Sequence, residues 1–167
     1  MEMLIRLTRR EDHNAIWRII EPTIRAGETY ALPLDMGEQE ALVYWTGPDR
    51  ETFVAEQEDG RIVGTYYLRA NQLGGGAHVA NCGYMTASDA TGRGVARGMC
   101  EHSMQRARDR GFRAMKFNFV VSTNERAIRL WQHLGFDIVG RLPLAFLHPQ
   151  LGYKDALVMF RSLGNSP

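Results

Sequence analysis

The stretch Asp89-Ala90-Thr91-Gly92-Arg93-Gly94-Val95-Ala96-Arg97-Gly98-Met99-Cys100 puts three glycines, two alanines and two arginines into twelve residues. Removing side chains lets a ligand approach the backbone, and arginine nearby suits a negative charge. A strand that runs through a glycine-rich turn into a helix start offers unpaired N–H groups and the positive end of the helix dipole at one point. A phosphate fits such a point. Two phosphate motifs match poorly: no Lys-Ser or Lys-Thr pair follows the last glycine, and Gly92, Gly94 and Gly98 are spaced G-x-G-x-x-x-G rather than G-x-G-x-x-G. From this stretch alone, a tight turn that binds nothing remains the alternative.

Two asparagines interrupt otherwise apolar strands. In Lys116-Phe117-Asn118-Phe119-Val120-Val121 the phenylalanines share one face and Asn118 takes the other; in Val79-Ala80-Asn81-Cys82-Gly83, Asn81 breaks a buried-looking run. An unpaired buried amide costs about 1–3 kcal/mol, so each needs a partner, either in the protein or in a substrate. The five histidines, His13, His78, His102, His133 and His148, lack spacing suited to a metal, and no Gly-x-Ser-x-Gly elbow points to a serine hydrolase. No metal is expected. Cys82 and Cys100 sit inside apolar patterns and read as core thiols.

These groups need a scaffold. Met3 to Leu7 reads as a strand, followed by a helix with Asp12 at its cap and Ala15, Ile16, Ile19 and Ile20 on its apolar face. After Pro22, residues 26–30 form a loop into a shorter helix over Glu38 to Trp45. Thr52 to Glu56 and Arg61 to Ala70 are strands around an Asp59-Gly60 hairpin signal, and Gly74-Gly75-Gly76 leads to a strand over His78 to Thr86. A helix from Val95 to Gly111, a strand over Ala114 to Val121, a helix over Ser122 to Leu134 with a Ser122/Glu125 capping box, and strands over Phe136 to Leu147 and Tyr153 to Arg161 complete the order. The expected fold is a mixed, mostly antiparallel α/β sheet with helices on both faces, forming one domain over residues 1–167.

The chain carries 20 Lys and Arg against 19 Asp and Glu, a formal charge of +1. No global field argues for nucleic acid or an anionic membrane, so any attraction for phosphate is local. Neither a secretory leader nor a membrane-spanning apolar run is evident, and a soluble, cytoplasmic protein is expected.

Gly92-Arg93-Gly94-Val95-Ala96, with the helix Asn124-Glu125-Arg126-Ala127-Ile128-Arg129-Leu130-Trp131-Gln132-His133-Leu134-Gly135-Phe136 about thirty residues on, resembles the GCN5-related N-acetyltransferases, an acetyl-CoA-dependent family. The order of elements agrees along nearly the whole chain. The resemblance implies that Arg93, Gly94, Val95 and Ala96 hold the coenzyme A pyrophosphate, with Thr91 and Gly92 also at the cofactor. It also implies that Tyr84, Met85 and Thr86 run along the cofactor, with Asn124, Ala127 and Trp131 beside it. Thr91 stands where the family usually has Arg or Gln, and Trp131 where many members have a tyrosine general acid.

Acetyl transfer needs a neutral amine, donors for the carbonyl oxygen, and a proton for the leaving thiolate. The expected oxyanion donor is a main-chain N–H near Met85, and Trp131 either packs the core or walls the cofactor. Asn-Cys-Gly-Tyr, Phe-Asn-x-Val-x-x-Thr-Asn and Gly-Arg-Leu-Pro look like the subgroup containing fungal acetyltransferases of proline and azetidine-2-carboxylate. That likeness implies a small amino acid or analogue as acceptor, positioned by Asn81 and Asn118. By the same analogy Glu28, Thr29, Tyr30 and Phe146 line the acceptor pocket. Protein lysine or N-terminal acetylation, and a non-catalytic acyl-CoA sensor, stay open as alternatives; a homodimer is common among similar proteins.

Overall fold

The computed structural model describes residues 2–164; Met1 and residues 165–167, the ends of the expected domain, lie outside the described residues. Strand β1 (Met3–Leu7) leads into α1 (His13–Ala26) and α2 (Glu38–Trp45). Then come β2 (Glu51–Gln57), β3 (Ile62–Ala70), β4 (Val79–Thr86), α3 (Val95–Asp109), β5 (Ala114–Val121), α4 (Glu125–His133), β6 (Asp137–His148) and β7 (Gly152–Ser162). Three short 3₁₀ turns punctuate the loops. The strands form one sheet in the order β1-β2-β3-β4-β5-β7-β6. Every neighbouring pair is antiparallel except β4 and β5.

Helical periodicity decides which faces are buried. In α1 the buried set is Ile16, Ile19, Ile20 and Ile24; in α3 it is Val95, Met99, Cys100, Ser103, Met104 and Ala107. Helices α1 and α2 cover one face of the sheet, where the fully buried Trp45 donates its indole N–H to Thr65 Oγ1 at 2.9 Å. Helices α3 and α4 cover the other, where the Tyr84 hydroxyl meets Ser103 Oγ at 2.6 Å and Trp131 packs on Phe117. The fold is thus the mixed α/β sheet with two helical layers that the sequence pattern implied.

Two helix starts differ from expectation. Asp12 does not cap α1 through its side chain; its carboxylate accepts the Arg9 amide at 2.7 Å and a two-pronged contact from Arg6 at 2.8 and 3.0 Å. An arginine fork outcompetes a helix amide for the same oxygens. Helix α4 begins at Glu125 rather than Ser122, because Asn124, not Ser122, supplies the cap by accepting the Ala127 amide at 3.4 Å. Helix α1 also runs on through Pro22 to end at Gly27, whose φ of 64° closes it.

The feature that shapes the site is the β4–β5 seam. These two strands pair only at Val79↔Ala114 and Ala80↔Met115 and then diverge. Asn81, the next residue, spans the opening with its side chain, donating Nδ2 to the Lys116 carbonyl at 3.0 Å. On its far side, β5 breaks register with β7 between Phe117 and Val120, at Asn118 and Phe119.

Candidate active site

A cleft of about 760 Å³ opens between the diverging strands. The phase of β4 fixes which backbone groups enter it. The His78 carbonyl accepts from Arg113 on the β5 side, whereas the Val79 carbonyl accepts from Asn71 and the Ala87 amide donates to Val63, both on the β3 side. Main-chain direction alternates along a strand, so the N–H and C=O groups of Cys82, Tyr84 and Thr86 face the cleft. The Tyr84 carbonyl does so visibly, accepting the Tyr30 hydroxyl at 2.9 Å. Met85 belongs to the opposite set: its amide faces β3, paired opposite Thr65, although the residue is buried in the cleft wall. The amide available near the expected position is therefore that of Tyr84.

Beyond Thr86 the chain turns through Gly92 and Gly94 into α3. Their φ values of 78° and 84° lie in the left-handed region, which side chains with a Cβ disfavour. Gly94 is the cap of α3, and no side chain caps it. The first bond of the helix runs from the Gly98 amide to the Gly94 carbonyl, which leaves the amides of Val95, Ala96 and Arg97 without intrahelical acceptors. Thr91, Gly92, Gly94, Val95, Ala96 and Arg97 line this end of the cleft, but the exposed Arg93 side chain does not. Arg126 from α4 lies over the turn; a Cβ on Gly92 would sit 2.8 Å from its Nη2. Orphan amides, a turn opened by two glycines, and a guanidinium above it fit a diphosphate.

The walls carry a second function in each case. Asn124 lines the cleft while capping α4, and Ala127 and Trp131 follow it along the same face. Trp131, only 8% exposed, packs against Tyr84 at 5.2 Å and Phe117 at 5.1 Å, so it is core and cleft wall at once. The two tyrosines nearest the opening are poor acids. Burial pushes the Tyr84 phenol well up, as it does that of Tyr30, and both hydroxyls already have partners.

On the α1–α2 side the cleft is lined by Thr29, Tyr30, Tyr44, Tyr67, Arg69, Asn81, Asn118 and Phe119. Asn81 and Asn118 share this space, as expected, and each has a protein partner as well: Asn118 Nδ2 donates to Asn71 Oδ1 at 2.7 Å. Glu28 is exposed and does not line the cleft, and Phe146 is buried behind Phe119 at 6.1 Å. The loop turns Glu28 outward while Thr29 and Tyr30 enter. Sequence reasoning missed Arg126, Arg69, Tyr44 and Tyr67. Arg126 stands two residues after Asn124 on the motif helix, a spacing that could have flagged it; an arginine ending a strand and two tyrosines gave no signal. The lining contains no Asp, Glu, His or Lys, and the described residues hold no cluster of metal-binding side chains.

A parallel strand pair that parts to free its backbone, feeding a helix start entered through two positive-φ glycines and left without a side-chain cap, fits an acyl-coenzyme A transferase. The profile described as "Acetyltransferase (GNAT) family" matches residues 13–136, and the chain belongs to that family as an N-acetyltransferase. The structure of a GCN5-related N-acetyltransferase from Kribbella flavida is 40% identical, with a TM-score of 0.91 over 96% of this chain and 97% of that one. A phosphinothricin acetyltransferase from Sinorhizobium meliloti, solved in complex with AcCoA, shares the fold at 22% identity, with a TM-score of 0.86 over 100% of this chain and 94% of that one. Among curated proteins, N-acetyltransferase aca1 of Schizosaccharomyces pombe is 26% identical over 152 residues, covering 81% of this chain and 72% of its own.

Proposed function

We propose that this protein transfers the acetyl group of acetyl-CoA to the amine of a small molecule such as an amino acid or an amino-acid analogue. The observation that carries the reading is the split seam, with the backbone of Cys82, Tyr84 and Thr86 turned into it and uncapped amides at one end. Backbone amides from Gly92 to Ala96, with Arg126 above them, hold the diphosphate. Thr86, Asn124, Ala127 and Trp131 bound the pantetheine arm. The bound thioester supplies an activated acetyl group.

The chain's own part is orientation and charge. The Tyr84 amide, turned into the cleft, would donate to the thioester carbonyl oxygen; the Tyr30 hydroxyl donates to the Tyr84 carbonyl at 2.9 Å and so holds the next peptide of the strand. Asn81 and Asn118 hold the acceptor amine. Its lone pair forms the C–N bond as the C–S bond breaks, and its surplus proton leaves to water, because no carboxylate or imidazole lines the cleft. A thiol with a pKa of roughly 8–9 leaves without a dedicated acid, which accounts for indole at position 131.

The kinship with a fungal N-acetyltransferase supports a place in the subgroup that resembles the proline and azetidine-2-carboxylate enzymes. Free thiol is followed while the protein is mixed with acetyl-CoA and a panel of amino acids, proline analogues, polyamines and peptides. Release that depends on a small amine bears the proposal out. Release only with peptides assigns a protein acetyltransferase, and coenzyme A binding with no release across the panel assigns a sensor.

A further inference from the structure

The transfer chemistry makes no use of Arg69, yet it is the charged side chain on the acceptor side of the cleft. It stands near the end of β3 on the face shared with Tyr67 and Asn81. Its Nε donates to Asn81 Oδ1 at 3.4 Å, and Asn81 is the residue that spans the seam to Lys116. The guanidinium is therefore one hydrogen bond from the point where the strands part.

A carboxylate lies nearby and neutralises it only in part. Both oxygens of Asp49 are taken by Arg50, at 2.8 and 3.2 Å, and Arg69 Nη1 reaches Asp49 only at 3.8 Å. Arg50, its side chain 7% exposed, lies 4.6 Å over the Tyr67 ring, and its Nη1 is buried with no hydrogen-bond partner. Two guanidiniums thus share one carboxylate beside a ring that lines the cleft. The cluster keeps one positive charge in surplus, and the lining offers no acid to offset it. A cation with free terminal donors in a partly enclosed cleft attracts a carboxylate and repels a second ammonium.

We infer that the acceptor is an amine that carries a carboxylate, and that Arg69 is the specificity residue that reads that charge. The inference rests on the acetyl-transfer reading and narrows it: polyamines and lysine side chains, cationic and with no carboxylate close to the amine, are poor acceptors.

Matched pairs test it: proline against prolinamide and alanine against alaninamide, at saturating acetyl-CoA. The carboxamides have the less basic amine, so proton availability alone favours them, and any preference for the acid reports the anion contact. In the unaltered protein kcat/KM favours the acids by roughly tenfold or more, the size of one charge-assisted contact. Arg69→Gln removes about tenfold of that ratio, mainly through KM, while Arg69→Lys retains it and coenzyme A affinity is unchanged in both. If Arg69→Gln does not fold, the unaltered protein and Arg69→Lys decide. Calorimetric titration of the same pairs into coenzyme A-saturated protein gives the ranking without turnover. Binding that favours the acids with no thiol release overturns the transfer reading and sustains the inference. Preference for carboxamides or polyamines, a ratio indifferent to Arg69→Gln, or binding of neither member of a pair overturns the inference.

Discussion

The two ends of the cleft are built from different materials. At the end proposed for the diphosphate, recognition would belong to the main chain: amides of one short turn, exposed because Gly92 and Gly94 adopt conformations that disfavour side chains. At the acceptor end it belongs to side chains, and they arrive from the α1–α2 loop, α2, β3, β4 and β5. A backbone site tolerates many side-chain changes and few changes of conformation. A side-chain site does the reverse, and this makes the first end suited to a constant ligand and the second to a variable one.

Trp131 packs on Tyr84 and Phe117 in the cleft wall, and Trp131→Ala is expected to have the largest effect, a loss of about 3–5 kcal/mol in unfolding free energy as for a large aromatic removed from a core. Denaturant titration reads it; a loss under about 1 kcal/mol would show that the indole packs on nothing essential. Gly94→Val strains a positive φ by roughly 1–3 kcal/mol and disturbs the turn, so coenzyme A affinity falls about ten- to a hundredfold by calorimetry while amine KM at saturating cofactor moves little. If both constants move together, the ends are not separable. Asn118→Ala gives the mirror result, an amine KM up by about tenfold with coenzyme A binding intact.

The pH profile sharpens the acceptor end. With no base in the lining, kcat/KM for the amine climbs about tenfold per pH unit below the amine's own pKa, and a flat profile from neutral to alkaline pH would refute transfer without a protein base. The smallest expected effect is a null one. Burial pushes the Cys100 thiol up to about 12 and raises that of Cys82, and both are free and buried, so the folded protein reacts slowly with thiol reagents and leaves the coenzyme A assay clean. Rapid labelling of Cys82 would mean that the cleft opens wider than the structure shows.

The same contrast explains what could be read in the sequence. The diphosphate end is nearly continuous along the chain, so its glycines, the following helix and the Asn124 helix stood out as motifs. Strand and helix order was legible because alternation and helical periodicity are local. Register was not: choosing Tyr84 over Met85 requires knowing which neighbour each side of β4 faces, a property of the assembled sheet. Arg69 carries no signal in the sequence, and only its neighbours Asp49, Arg50 and Asn81 give it a role. Phe146 and Glu28 differ for the opposite reason: analogy puts them at the pocket, whereas Glu28 is exposed, Phe146 packs edge-on to Phe119, and neither lines the cleft.

Seven strands make this sheet, yet the ladder between the four-stranded part β1 to β4 and the three-stranded part β5 to β7 is two residue pairs long, and beyond it the side chains of Asn81 and Asn118 carry hydrogen bonds between the two parts. The shortest join in the sheet therefore borders the cleft proposed for the cofactor. Coenzyme A lying along that join would act as a tie between the halves, so saturation should raise the melting temperature and slow amide exchange in β4 and β5 more than in the distant β1–β2 ladder.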